Sequence, residues 1–323
     1  MSQPLVSIII LNWNGHEIIK ECLDSIRKLN YPNFETIVID NGSTDGSQKY
    51  LESFNEIILI KNNKNLGYAG GNNVGFKIAK GKYVAVINND VIVDPSWLQL
   101  IVNYLEQDEN IAAAGGCLKR FYESSKLDCL FCYIGYDLMM RECTNKKIYE
   151  KIKAINKPVK VISLSGAAIV LRKNILDKLN GFDETLFSYH EEADLCMRIF
   201  LAGYKCIFVP DAIAFHKRSL SFSKIKETAF YYQTRNRFLF IYKYSPLSLF
   251  ILRIPLLILR EIRIIRVAIF KTKLFNYYLK AVTDALKLFP AISQQRKINM
   301  RNLKLKKNLY KKLLKKKYLI INE

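Results

Sequence analysis

Tyr189-His190-Glu191-Glu192-Ala193-Asp194 places three carboxylates within four residues. Carboxylates this close raise one another's pKa, which suits a general base working near neutrality. The same acids also suit the first turn of a helix, where they complement its dipole. Asn88-Asn89-Asp90 leaves an apolar run and offers one carboxylate, either to solvent or to a hard divalent ion that also grips a diphosphate. His216, one of three histidines with His16 and His190, ends the apolar run Ile207 to Phe215, and its imidazole would complete a metal site begun by Asp90. Asp40 can accept hydrogen bonds from ribose hydroxyls or a pyrimidine N–H, or it can close a turn in Asp40-Asn41-Gly42-Ser43-Thr44-Asp45. Asn65 to Gly75 carries glycines at 67, 70, 71 and 75 and leads into a helix. Such a loop lets backbone N–H groups approach a phosphate or sugar, or it simply bends through the left-handed region.

These groups need a scaffold that brings them to one edge. Val6 to Leu11, Glu35 to Asp40, Ile57 to Ile60 and Tyr83 to Ile87 are short, rich in Ile and Val and bounded by Asn, Gly and Asp, the pattern of buried strands. Helical periodicity covers His16 to Leu29, Asp45 to Phe54 and Gly71 to Ala79, with a further helix over Pro95 to Glu106 after Asp94. Val161 to Leu171 reads as one strand, and Lys173 to Leu179 and Glu191 to Leu201 as helices ended by Asn180-Gly181 and Gly203. The alternation predicts a parallel sheet covered by helices, whose ligands bind beyond the carboxyl ends of the strands. Residues 118–158 show no clear period and read as an insertion able to line an acceptor site.

The turn after the first strand excludes other nucleotide-binding classes. Asn12-Trp13-Asn14-Gly15-His16 replaces the G-x-G-x-x-G of dinucleotide-binding proteins, and no Walker loop occurs. Seven scattered cysteines, an odd number, fit a reduced compartment. Cys129 and Cys132 form one tight pair, flanked by Cys117 and Cys143, where a four-thiolate zinc site wants two such pairs. Met1 to Pro4 run into the first strand without a basic region or cleavage site, so no signal peptide is expected.

In order, Val6 to Gly15, Ile37 to Ser47, Asn65 to Gly75, Asn88-Asn89-Asp90 and Gly181-Phe182-Asp183-Glu184 to Leu195 resemble family-2 inverting glycosyltransferases of the GT-A fold, and among them the rhamnosyltransferase-like branch. The resemblance covers residues 5 to about 240. It implies an α/β, Rossmann-like, mainly parallel sheet flanked by helices, a nucleotide-sugar donor (dTDP-rhamnose or a UDP-sugar), and a lipid-linked or cell-surface glycan acceptor. It implies that Asp40 and Asp45 hold the nucleoside, and that Asn12, Gly71, Asn72, Asn89 and Asp90 lie along the donor. Asp90, the one acid kept from the family's D-x-D motif, and His216 would then hold Mg²⁺ or Mn²⁺. Glu192, at the position of the family's base, would take the acceptor proton, with Glu191 the fallback.

Charge divides the chain. Residues 1–216 hold 24 basic and 25 acidic side chains, whereas residues 217–323 hold 26 basic and 4 acidic ones. Residues 247–270 are apolar but interrupted by Arg253, Arg260, Glu261, Arg263 and Arg266, which disfavours a simple membrane-spanning helix. The four arginines fall on one side of a helical wheel, the pattern of an interfacial helix. Lys304 to Lys317 interleaves lysines with leucines, and each lysine near an anionic leaflet is worth about 1 kcal/mol. No nucleic-acid motif accompanies the charge, so an anionic membrane is the favoured polyanion. The expectation is a catalytic domain over 1–240 and a basic amphipathic helical region over 241–323, acting peripherally at the cytoplasmic face of the cell membrane in polysaccharide biosynthesis. The alternative is a non-catalytic protein that keeps the fold and binds membrane or nucleic acid through its basic region.

Overall fold

A computed structural model describes residues 3–135, 137–218, 226–270 and 274–305, with side chains described to residue 302. The lysine-rich end from residue 303 on, and with it the expected side-chain pattern of Lys304 to Lys317, lies outside the described side chains.

The first 88 residues alternate as expected: β1 (Val6–Asn12), α1 (Ile19–Arg27), β2 (Phe34–Asp40), α2 (Ser47–Leu51), β3 (Ile57–Lys61), α3 (Gly67–Ile78) and β4 (Tyr83–Asn88). Strands β3, β2, β1 and β4 lie side by side and parallel. Their runs are apolar throughout because both faces are covered. Ile8 and Ile10 pack under α1 with Leu23 and Ile26, while Ile9, Ile37 and Ile39 pack on the other face with Phe76 of α3.

Next come β5 (Val91–Val93), α4 (Trp97–Gln107), β6 (Ile111–Arg120), β7 (Leu127–Cys129), β8 (Cys132–Ile134), β9 (Met140–Glu142), α5 (Lys146–Ile155), β10 (Val159–Val161), β11 (Ala168–Arg172), α6 (Lys173–Lys178), α7 (Glu191–Ala202) and β12 (Lys205–His216). Here the sheet mixes directions: β11 is antiparallel to both β4 and β6, β12 is parallel to β6, and β5 folds back antiparallel on the end of β12.

Several expectations change. The glycine-rich stretch is not a loop: α3 begins at Gly67, and Gly71 and Gly75 let it lie so close to β1 that a Cβ would meet Leu11 Cδ1 at 2.4 Å and Ile9 Cγ2 at 2.8 Å. Tertiary approach overrides the poor helix propensity of glycine. The single strand expected over Val161 to Leu171 is two, β10 and β11, separated by a loop. The insertion holds the end of β6, strand β7, the β8–β9 hairpin and α5. Helix α2 starts at Ser47 after Gly46 at φ 88°, rather than at Asp45.

The basic third forms α8 (Lys226–Tyr244), α9 (Leu247–Phe270) and α10 (Phe275–Leu305). The boundary expected after residue 240 falls inside α8, whose Lys243 and Tyr244 are buried against α7; the chain turns at Ser245-Pro246 instead. Among the described residues no helix is long and apolar enough to cross a membrane.

Candidate functional site

The antiparallel return of β5 onto β12 sets His216 opposite Val91, and the Lys217 N–H donates to the Asp90 carbonyl at 3.0 Å. The pairing brings His216 Nε2 to 3.3 Å from Asp90 Oδ1. On its other side, His216 Nδ1 lies 2.8 Å from Oδ2 of the buried Asp128 on β7. With the proton on Nδ1 donated to Asp128, the Nε2 lone pair faces a carboxylate oxygen, and two acceptors at that distance need a cation between them. In the absence of an ion a proton serves: burial opposes the charge, but Asp128 and Asp90 outweigh it and push the imidazole up to about 9. The pair therefore fits a divalent cation. Among the described residues no group of three or more His, Cys, Asp or Glu is arranged to hold a metal, so further ligands would come from a diphosphate and water. The seven cysteines are free and buried, and they pack within the core.

The facing wall is the start of α7. Phe187, Tyr189 and His190 all sit at positive φ (62°, 70° and 74°), a conformation that non-glycine residues adopt only when their surroundings impose it. Part of that constraint is Asn236 of α8, fully buried, whose amide nitrogen lies 2.7–2.8 Å from the carbonyls of Leu186, Ser188 and Tyr189. Arg235 adds hydrogen bonds to the carbonyls of Thr185 and Leu186. The result is that Glu191 and Glu192 both line the pocket, Glu192 beside Gly166.

Environment separates the three acids. Burial, with the charge of Glu142, pushes Glu192 up to about 7. Burial and the neighbouring Glu192 raise Glu191 well above the usual carboxylate range. Burial works the same way on Asp194, but Lys243 and Arg198 outweigh it and hold that carboxyl at about 2. Asp194 is thus the structural acid: it accepts from Lys243 at 2.6 Å, Tyr244 at 2.8 Å and Arg198 at 2.8 Å. Both glutamates are thus raised while Asp194 is held down, which leaves Glu191 and Glu192 as the candidate acid–base groups of the pocket.

Both walls enclose one pocket of about 860 Å³, which Asn88, Asn89, Asp90, Glu191, Glu192 and His216 all line. Tyr133, Met140, Arg141 and Glu142 of the β8–β9 hairpin also line it, as does Tyr68, whose hydroxyl donates to the Gly166 carbonyl at 2.7 Å.

The remaining candidates do not line this pocket. Asp40 is wholly buried and its oxygens are taken by Asn12 Nδ2 (3.1 Å), Ser43 N–H (2.9 Å) and Gln48 Nε2 (2.7 Å), so it closes its own turn instead of opening into the crevice. Asn12 joins Asp40 to Asn89, whose amide donates to Asn12 Oδ1 at 3.0 Å. Asp45 accepts from the His16 N–H at 3.0 Å and the Ser47 N–H at 3.0 Å. Gly71 serves packing, and the buried Asn72 donates to the Tyr68 carbonyl at 2.9 Å.

Asp128, Arg218 and Asn236 are site residues that sequence reading missed. Arg218 binds Asp128 and reaches Glu142 at 2.9 Å. Asp128 lies 88 residues from His216 in sequence, and no local period marks it.

The profile of Glycosyl transferase family 2 matches residues 7–179, more than half of the chain, and ends before α7 and β12. An uncharacterized glycosyltransferase of Haemophilus influenzae is 40% identical over 124 residues, which span 37% of this chain and 38% of that protein. Glycosyltransferase GlyG of Streptococcus pneumoniae is 25% identical over 222 residues, 66% of this chain and 71% of its own length. Among solved structures, the mannosyltransferase PcManGT of Pyrobaculum calidifontis, in complex with GDP-Man and Mn²⁺, superposes with a TM-score of 0.57 at 17% identity over 88% of each chain. The fold is GT-A-like: a mostly parallel sheet between helices, extended by C-terminal helices.

Proposed function

The chain belongs to glycosyl transferase family 2, and on that premise we propose that it transfers a sugar from a nucleotide-sugar donor to a glycan acceptor by a single displacement that inverts the anomeric centre. The observation that carries this reading is one pocket with Glu192 on one wall and the Asp90–His216 pair on the other. Glu192 takes the proton of an acceptor hydroxyl as that oxygen bonds to the anomeric carbon, and the bond from that carbon to the diphosphate breaks. Asp90 and His216 would hold Mg²⁺ or Mn²⁺, which supplies charge neutralisation to the departing diphosphate. Asp128 keeps the imidazole turned toward Asp90. Tyr68 and Gly166 close the pocket beside Glu192.

The fold neighbour's GDP-Man and Mn²⁺ support a divalent ion with a nucleotide sugar. The resemblance to the rhamnosyltransferase-like branch makes dTDP-rhamnose the first donor to try, beside UDP-sugars. The basic helical region supports a peripheral position at the cytoplasmic membrane face and a lipid-linked or cell-surface acceptor. The non-catalytic alternative leaves the assembled base and ligand pair without a role. Screening a panel of nucleotide sugars with and without Mg²⁺ or Mn²⁺ tests the reading: metal-dependent turnover of one donor is expected, abolished in Asp90→Asn, and turnover that ignores both metal and Asp90→Asn overturns it.

A further inference from the structure

Helix α9 is amphipathic with its apolar face outward. Arg253, Leu257, Arg260, Glu261, Ile264 and Ala268 recur at helical spacing and are turned toward the protein. Arg260 pairs with Asp137 in the β8–β9 turn, while Glu261 accepts from Arg237 of α8 at 2.7 Å and from Tyr278 of α10 at 2.9 Å. On the opposite side Leu247, Ile251, Leu252, Ile258, Leu259 and Ile262 are 43–67% exposed. Twelve of the twenty exposed large apolar side chains among the described residues lie on this one helix. A patch of that kind on an otherwise well-packed domain marks an interaction surface.

The four arginines expected on one side of the wheel divide in the structure. Arg253 and Arg260 face the protein, and Arg263 and Arg266 are exposed beside the apolar stripe in the second half of the helix. Residues 217–323 carry 26 basic against 4 acidic side chains, so a second copy docked on this face would set two strongly cationic regions together. An anionic bilayer satisfies the apolar stripe and the charge at once. The helix also packs against the hairpin whose Tyr133, Met140 and Arg141 line the pocket, so the face and one pocket wall are in direct contact.

We propose that the outward face of α9 lies in the interface of an anionic bilayer, parallel to its plane, with Arg263 and Arg266 reaching headgroup phosphates, and that this seats the pocket's hairpin wall next to the lipid. The inference deepens the reading above and rests on it for the identity of the pocket, naming the surface through which a membrane-anchored acceptor would be met. Full-length protein is floated with vesicles of phosphatidylcholine alone or mixed with phosphatidylglycerol, and wild type is compared with Leu252→Ser/Leu259→Ser. Wild type is expected to float with the mixed vesicles, the double variant to lose about tenfold or more of that partition, and both to hydrolyse nucleotide sugar equally. In Leu259→Trp, brominated lipid should quench the new indole. Flotation unchanged by the double variant overturns the proposal, as does a wild-type dimer that the double variant dissociates without any vesicle binding, which would assign the face to a second copy. Loss of sugar turnover in a protein that still floats would overturn the proposed activity and leave the membrane face standing.

Discussion

In the proposed reaction Glu192 is the base, and its surroundings set a pH dependence. A base works only when deprotonated, and burial with Glu142 nearby holds Glu192 at about 7. Turnover under kcat/KM conditions should therefore climb as pH rises through about 7, and Glu192→Gln should lower kcat by about 10²–10⁴-fold while donor binding persists. Steady-state kinetics across pH, with calorimetric binding of the donor, checks both. Asp128 acts one contact further out: Asp128→Asn should weaken metal affinity or activity by about 10–100-fold, read by titrating Mn²⁺ against nucleotide binding. Legibility at this scale followed locality. Glu192, Asp90 and His216 stand at or beside the ends of elements with recognisable patterns, which marks them as candidates, and the structure brings all three to one pocket. Asp128 does not, because Leu127-Asp128-Cys129 is an ordinary short strand until the β6–β7 pairing swings it under His216. Asp40 is ambiguous in the sequence because a strand-end acid in a turn fits both roles, and the structure adds its internal bonds to Gln48 and Asn12, which neighbouring elements supply.

At the scale of elements, α7 and α8 are riveted through a buried polar network. Asp194 and Lys243 are 1% and 3% exposed in their side chains. Removing one partner leaves a charge buried alone, so Lys243→Met should cost about 3–5 kcal/mol of stability, measured by denaturant unfolding. The sign of its pH dependence comes from Asp194, whose folded pKa of about 2 lies below the ordinary value. The stabilisation is whole above about pH 4 and is lost as pH falls toward 2. Asn236→Ala should leave the loop carbonyls that its amide serves without that donor, costing about 1–3 kcal/mol and slowing turnover, because the loop that aims Glu192 loosens. Recovery of stability without recovery of kcat in a second-site suppressor would separate the two effects. The parallel strands were legible because period and composition agreed. Strand β6 was not, because Ile111-Ala112-Ala113-Ala114-Gly115-Gly116 carries no strand preference. It needs small residues: a Cβ on Gly116 would sit 1.9 Å from the Ala212 carbonyl, so only the neighbour β12 explains its sequence.

For the whole molecule, the uneven charge and the helical third divide labour. Residues 1–216 are near neutral, and α8, although it lies in the basic stretch, packs with them, since its Asn236 bonds the loop before Glu191 and its Lys243 bonds Asp194. Truncating the chain before α8 should therefore abolish turnover as well as membrane binding, an outcome that activity and flotation measured side by side would show.

The β5–β12 pairing carries a consequence in the order of events. Asp90 lies in the first third of the chain, and His216 arrives only when β12, the last strand of the sheet among the described residues, is laid down. Closing so long a loop is a late and entropically costly step. A nascent chain that has completed β1 to β4 thus has its first platform without His216, the second member of the proposed ligand pair. Under the proposed mechanism the ligand pair is complete only once β12 is in place, and fraying of those three paired residues would part it.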